Sequence, residues 1–136
     1  VAALPVDAQI TFLPVADLGR SAAFYEGALG LALVVDQGTC RIYRVAGAAY
    51  LGVCERSGAA AAAGVIVTLV SPAVAAWHER LTAAGVEVVA PPSFSEQYHI
   101  HHAFYRDPDG HLIEVQEFAD PAWAGPPARR PGRPVL

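Results

Sequence analysis

The sequence predicts an α+β fold: two βαβββ modules forming a curved, half-barrel mixed sheet around a cavity. Three observations predict it. Strand-type and helix-type segments succeed one another in the order β-α-β-β-β, and the same order then recurs. A low-complexity connector, "SGAAAAAG" at Ser57–Gly64, separates the two runs. A gapless shift of 55 residues lays Ile10 on Val65, Val15 on Val70 and Gly30 on Gly85, and a later shift of 62 lays Tyr50 on Leu112, Val53 on Val115 and Glu55 on Glu117. Such self-similarity is the mark of an internal repeat. The expected layout is one domain over residues 1–119, built of repeats at about 8–56 and 64–119, with an arm at 120–136.

In the first repeat, "QITFLPV" (Gln9–Val15) is rich in β-branched and aromatic residues and reads as a strand. Asp17 can cap a helix on which Leu18, Ala22, Tyr25 and Leu29 recur at helical spacing before Gly30 ends it. "LALVVD", "CRIYRVAG" and "AYLGVCER" follow as a meander, with turns at Gln37-Gly38 and Gly47-Ala48. In the second repeat, "VIVTLV" is a strand, Ser71 an N-cap and Pro72 a first helical residue. Trp77, Leu81 and Ala84 hold helical spacing up to Gly85. "VEVVAPP", "YHIHHAFYR" and "HLIEVQEF" are the last strands, the final pair joined by the turn "DPDG", in which Asp107 and Asp109 are expected to bond their own backbone.

The chain of 136 residues is 54% hydrophobic and 16% charged, which places it among globular proteins. A net charge of −4, with no basic cluster before the extreme C-terminus, argues against a nucleic-acid surface. No apolar run is long enough to span a bilayer. "VAALPVDAQ" lacks a basic stretch followed by a long apolar one and does not read as a signal peptide. The only cysteines, Cys40 and Cys54, sit in segments that look like neighbouring strands, and the expectation is two half-buried thiols in a cytoplasmic protein.

One residue breaks the apolar pattern. In the last strand Leu112, Glu114 and Gln116 share one face and Ile113 and Val115 the other. The Ile/Val face suits packing on a helix, so Glu114 points into the cavity that two such sheets would enclose. A metal would explain a carboxylate there, and so would a buried hydrogen bond.

The segments "FLPVADLGRSAAFYEGALGL" and "FYRDPDGHLIEVQEF" resemble those of the vicinal oxygen chelate superfamily, which holds glyoxalase I, extradiol dioxygenases, fosfomycin-resistance enzymes and bleomycin-resistance proteins. The resemblance covers roughly residues 8–119. It implies the paired-module fold, a small-molecule ligand and a homodimer. In metal-using members the Glu after the DPDG turn is a ligand, and Glu114 matches it. The other implied ligand positions fall on Ile10, Val65 and Gly52, none of which offers a donor side chain. Gln9 would reach inward only through a bulge in the first strand.

The resemblance also makes Phe104 a cavity residue, which puts His102 inside beside Glu114. That pair admits three readings: a polar lining, a catalytic acid/base pair, or two ligands of an unusual divalent-metal site. His99 and His101 are expected outside, and His78 on the helix surface. Phe12, Tyr43, Tyr50 and Phe104 are candidate pocket walls. No cofactor is predicted, a divalent ion being the alternative. In the Pro/Arg-rich arm, Trp123 is the expected anchor. Three functions follow: a metal-free binder of a small organic molecule, a metal-dependent lyase or dioxygenase working through Glu114, and a non-catalytic binding or regulatory protein.

Overall fold

The computed structural model describes residues 3–123 and 125. The strands are β1 (Gln9–Val15), β2 (Ala32–Asp36), β3 (Cys40–Ala46), β4 (Ala49–Glu55), β5 (Ile66–Val70), β6 (Glu87–Ser95), β7 (Ile100–Arg106) and β8 (Leu112–Phe118). Helix α1 (Leu18–Ala22) runs on as a π-helical stretch, Ala23–Ala28, and α2 spans Val74–Ala83. They form two four-stranded mixed sheets, ordered β1-β4-β3-β2 and β5-β8-β7-β6. In each, the first strand lies parallel to the last and the others run antiparallel. The βαβββ order thus occurs twice. Among the described residues two compact units result: those up to Ala62 with Pro108–Gly110, and Ala63–Asp107 with those from His111.

In the first unit, Leu13, Val15, Leu51, Val53 and Tyr43 form the buried side of the sheet, with Phe24, Tyr25 and Leu29 of the helical segment in the same core. The π-helical stretch is visible in Leu29 N–H donating to the Phe24 carbonyl, five residues back. Its wider turn accommodates two consecutive buried rings, Phe24 and Tyr25. A spacing rule based on 3.6 residues per turn cannot register it. Tyr25 and Tyr43 stack with centroids 6.0 Å apart. The Tyr43 hydroxyl donates to Glu26 at 3.1 Å. Burial, then this carboxylate, push the Tyr43 pKa up to about 12. The neutral phenol is the form the fold favours, so its contribution is intact below pH ~10 and is lost as pH rises towards 12. Burial also raises Tyr105, so a spectrophotometric alkaline titration should show late-ionising tyrosines, one of which is missing in Tyr43→Phe.

The start of α1 is held three ways. Asp17 accepts from Arg20 N–H at 2.7 Å, Glu55 from Leu18 N–H at 2.9 Å, and Asp109 from Ala16 N–H at 2.8 Å. Asp109 also takes the Arg20 guanidinium at 3.0 Å. Beyond the turn, the Asp109 carboxylate thus serves a helix start 93 residues away. Asp107 does hold the turn, accepting from His111 N–H at 2.8 Å.

The cysteine expectation is overturned. Cys40 and Cys54 are directly opposed on β3 and β4 and form a disulfide. Strand propensity puts the two residues on neighbouring strands, but the register that decides whether their sulfurs meet is not a local property. With the thiols goes the support they lent to a reducing compartment.

In the second unit, α2 covers one face of its sheet. Val74 and Leu81 are buried, as are Leu69, Ala103, Tyr105, Ile113 and Val115. The helix begins later than its cap signal suggested. Ala73 is the N-cap, and Ser71 instead receives Ala73 N–H at 3.1 Å and the Trp77 indole N–H at 3.2 Å. His78 is not a plain surface residue. It is half-buried, and its Nδ1 lies 2.8 Å from the hydroxyl of fully buried Tyr105. Pro91 and Pro92 sit within β6, an edge strand, where register slips between Ala90 and Ser93 absorb their missing donors. No helix among the described residues is long and apolar enough to cross a membrane. The arm lies outside the described residues beyond Trp123, Gly125 excepted. Trp123 itself stacks on Phe118 at 4.3 Å and 18°.

Candidate functional site

With α2 on the Ile113/Val115 face, the opposite face of the second sheet carries the chemistry. Its rows follow from the ladder. Thr68 and Phe104 flank Glu114, Val70 and His102 flank Gln116, and Ile66 and Arg106 flank Leu112. Glu114 is 7% exposed. Its carboxylate is filled by side chains of its own sheet. Thr68 Oγ1 donates to Oε1 at 2.9 Å, and His102 Nδ1 lies 2.9 Å from Oε2. The Gln116 amide nitrogen, turned towards Glu114 as the donors and acceptors require, donates to Oε1 at 2.9 Å and Oε2 at 3.3 Å. Such bonds are what let a carboxylate stay buried.

Of the residues singled out in the sequence, His102, Phe104 and Glu114 come together. The His102 ring meets Phe104 edge-on, centroids 5.0 Å apart. His99 and His101 are exposed. Thr68 and Gln116 were missed. Gln116 was visible as an even-numbered neighbour of Glu114. Thr68 required the parallel β5–β8 register, which no local pattern encodes.

The remaining pocket-wall candidates lie in the first unit. Phe12 and Tyr50 belong to the side of the first sheet away from its core, Phe12 opposite Gly52 and Tyr50 opposite Ile10. Tyr43 does not: it is fully buried beneath Tyr25, which corrects its assignment as a wall. Alternation puts it on the helix side, a point only a correct face assignment for β3 could have given.

The repeat register also needs correction. Phe12 stands opposite Gly52 as Thr68 stands opposite Glu114. Ile10 therefore corresponds to Ile66 and not to Val65, which precedes β5. Neither isoleucine can bind a metal. β1 has no bulge, and Gln9 donates to Thr11 at 2.7 Å on its own face. Gly52 stands where a second Glu would be, and a Cβ there would collide with the Phe12 ring. The metal implied by the resemblance thus does not fit these residues. Glu114's oxygens are committed to protein donors, and among the described residues no group of three or more His, Cys, Asp or Glu could hold an ion. The Phe12–Gly52 contact gives a test. Gly52→Ala should cost about 1 kcal/mol, because the half-exposed Phe12 ring can swing aside, and Phe12→Ala should recover most of it in the double variant. Additive losses in denaturant titrations would refute the contact.

No curated protein matches the chain. Solved structures do. A glyoxalase/bleomycin resistance protein from Albidiferax ferrireducens T118 is 25% identical with a TM-score of 0.67, covering 79% of this chain and 95% of that one. A glyoxalase-related enzyme from Fulvimarina pelagi is 26% identical with a TM-score of 0.69, covering 84% and 88%. A glyoxalase/bleomycin resistance protein/dioxygenase from Nocardioides, at 22% identity and a TM-score of 0.68, covers 94% and 93% and shares the fold. The family model matches residues 8–115, the span that holds both βαβββ modules up to Val115. The chain belongs to the glyoxalase/bleomycin resistance protein/dioxygenase superfamily.

Proposed function

We propose that the protein binds a small organic molecule on the Glu114 face of its second sheet, without the metal used by other members of its superfamily. The observation that carries this reading is the state of the Glu114 carboxylate. Both oxygens accept from Thr68, His102 and Gln116. An ion would have to displace these donors, and Ile66, two residues before Thr68 on β5, would offer it nothing in return. Phe104, Leu112, Ile66 and Val70 supply apolar surface on the same face, and His102 a polar anchor. The relatives named glyoxalase-related or bleomycin resistance proteins agree with a small-molecule role at the level of the superfamily.

The same pair supports a second reading, acid/base catalysis. A carboxylate on one ring nitrogen orients an imidazole so that the other can move a proton. Elemental analysis of protein purified without chelators, followed by native mass spectrometry, tests the proposal. Sub-stoichiometric Fe, Mn, Ni and Zn, with a retained organic mass, is the expected result. One equivalent of any of these metals, lost in Glu114→Gln, would replace the metal-free reading with the divalent-metal enzyme.

A further inference from the structure

His102 has two ring nitrogens, and the sheet uses one. Nδ1 faces Glu114 Oε2 at 2.9 Å. An ionised carboxylate only accepts, so Nδ1 must carry the hydrogen. Glu114 is held in that accepting role from both sides, because its other oxygen receives the Thr68 hydroxyl and the Gln116 amide. In the neutral imidazole this leaves Nε2 as a bare lone pair. Among the described residues Nε2 has no hydrogen-bond partner, and it is not a sealed atom: the only buried side-chain polar atom without a partner is Arg41 Nε. Around it lie Phe104, edge-on to the imidazole, Ser93 across β6, and Gln116 with Val70 beyond it. Arg106, on the same face beside Leu112, already has a partner.

We infer that this face recognises its ligand through a donated hydrogen bond: a neutral molecule with an apolar or aromatic body and one hydroxyl or N–H group, given to His102 Nε2. The inference rests on the small-molecule reading above and narrows it to a chemical class. A carboxylate or phosphate group would meet a lone pair instead of a proton. An ether or a hydrocarbon of the same shape would leave Nε2 without its hydrogen bond, the kind of mismatch that polar sites reject. Thr68 and Gln116 are then positioning residues, acting on the ligand only by holding Glu114.

The test uses 15N-labelled protein at mildly alkaline pH and three probes: phenol, anisole and benzoate. Proton–nitrogen correlation spectra of the free protein should show His102 as the Nδ1–H tautomer. Phenol should shift its Nε2 resonance and bind about tenfold more tightly than anisole, the scale of one neutral hydrogen bond, with benzoate no better than anisole. In His102→Phe the preference for phenol should vanish. An Nε2–H tautomer, an imidazolium, or equal binding of phenol and anisole with shifts at Phe104 and Leu112 would overturn the donor rule and leave the small-molecule reading standing. Failure of all three probes to perturb this face would overturn the reading itself. The tautomer and the probe ranking are read on the unmodified protein, so the result does not depend on the variant folding.

Discussion

Removing the Cys40–Cys54 bond should lower the free energy of unfolding by about 3 kcal/mol, the loop-closure cost for cysteines 14 residues apart. The bond ties β3 to β4, two strands joined by a tight turn at Gly47. β4 also pairs with β1, so it lies in the middle of the sheet and carries buried Leu51 and Val53. Loosening this hairpin therefore loosens the core of the first unit. Urea titrations of the protein with and without reductant would measure the loss, and the Cys40→Ala/Cys54→Ala double variant should match the reduced protein. A midpoint that reductant leaves unmoved, with thiol titration confirming that the bond is open, would show that the hairpin needs no covalent tie.

Glu114→Ala should cost about 3 kcal/mol, more than removal of any of its partners. Three donors converge on that carboxylate, and Gln116 is itself buried. Truncation leaves each of them without an acceptor in a row flanked by Phe104 and apolar strands. Glu114→Gln should lose about half as much, because one end still accepts while the other presents a donor to a donor. Thr68→Val should lose about 1 kcal/mol, since Thr68 is exposed and its bond is the least sheltered. The ranking separates the two explanations of a carboxylate at this position. If it serves the hydrogen-bond network, the loss in Glu114→Ala is the same with and without a chelator. If it serves an ion, chelator destabilises the unmodified protein and has no further effect on the variant.

Much of the fold was legible because it is written in local period. The bounds of β1 and the end of the first helix at Gly30 follow from alternation, helical spacing and glycine. The placing of Glu114 on the face opposite Ile113 and Val115 needed only the two-residue repeat of a strand. The misreadings share one cause. Val65 for Ile66, Tyr43 as a pocket wall and free thiols at Cys40 and Cys54 each depend on which residue of one strand stands opposite which residue of another. A shift of one residue reverses every face, and low self-similarity between the repeats left that shift undetermined.

The sequence by itself determined the two βαβββ modules and the face on which the acid lies, because amphipathic periods are properties of single segments. It also determined the lack of donor side chains at Ile10 and Gly52, since residue type needs no geometry. The tertiary structure decided what the acid does. Thr68, His102 and Gln116 come from β5, β7 and β8, and only the pairing of those strands brings an alcohol, an imidazole and an amide within 3 Å of one carboxylate. Pairing across a sheet is settled by the summed burial of all its rows, a quantity no single stretch of chain contains.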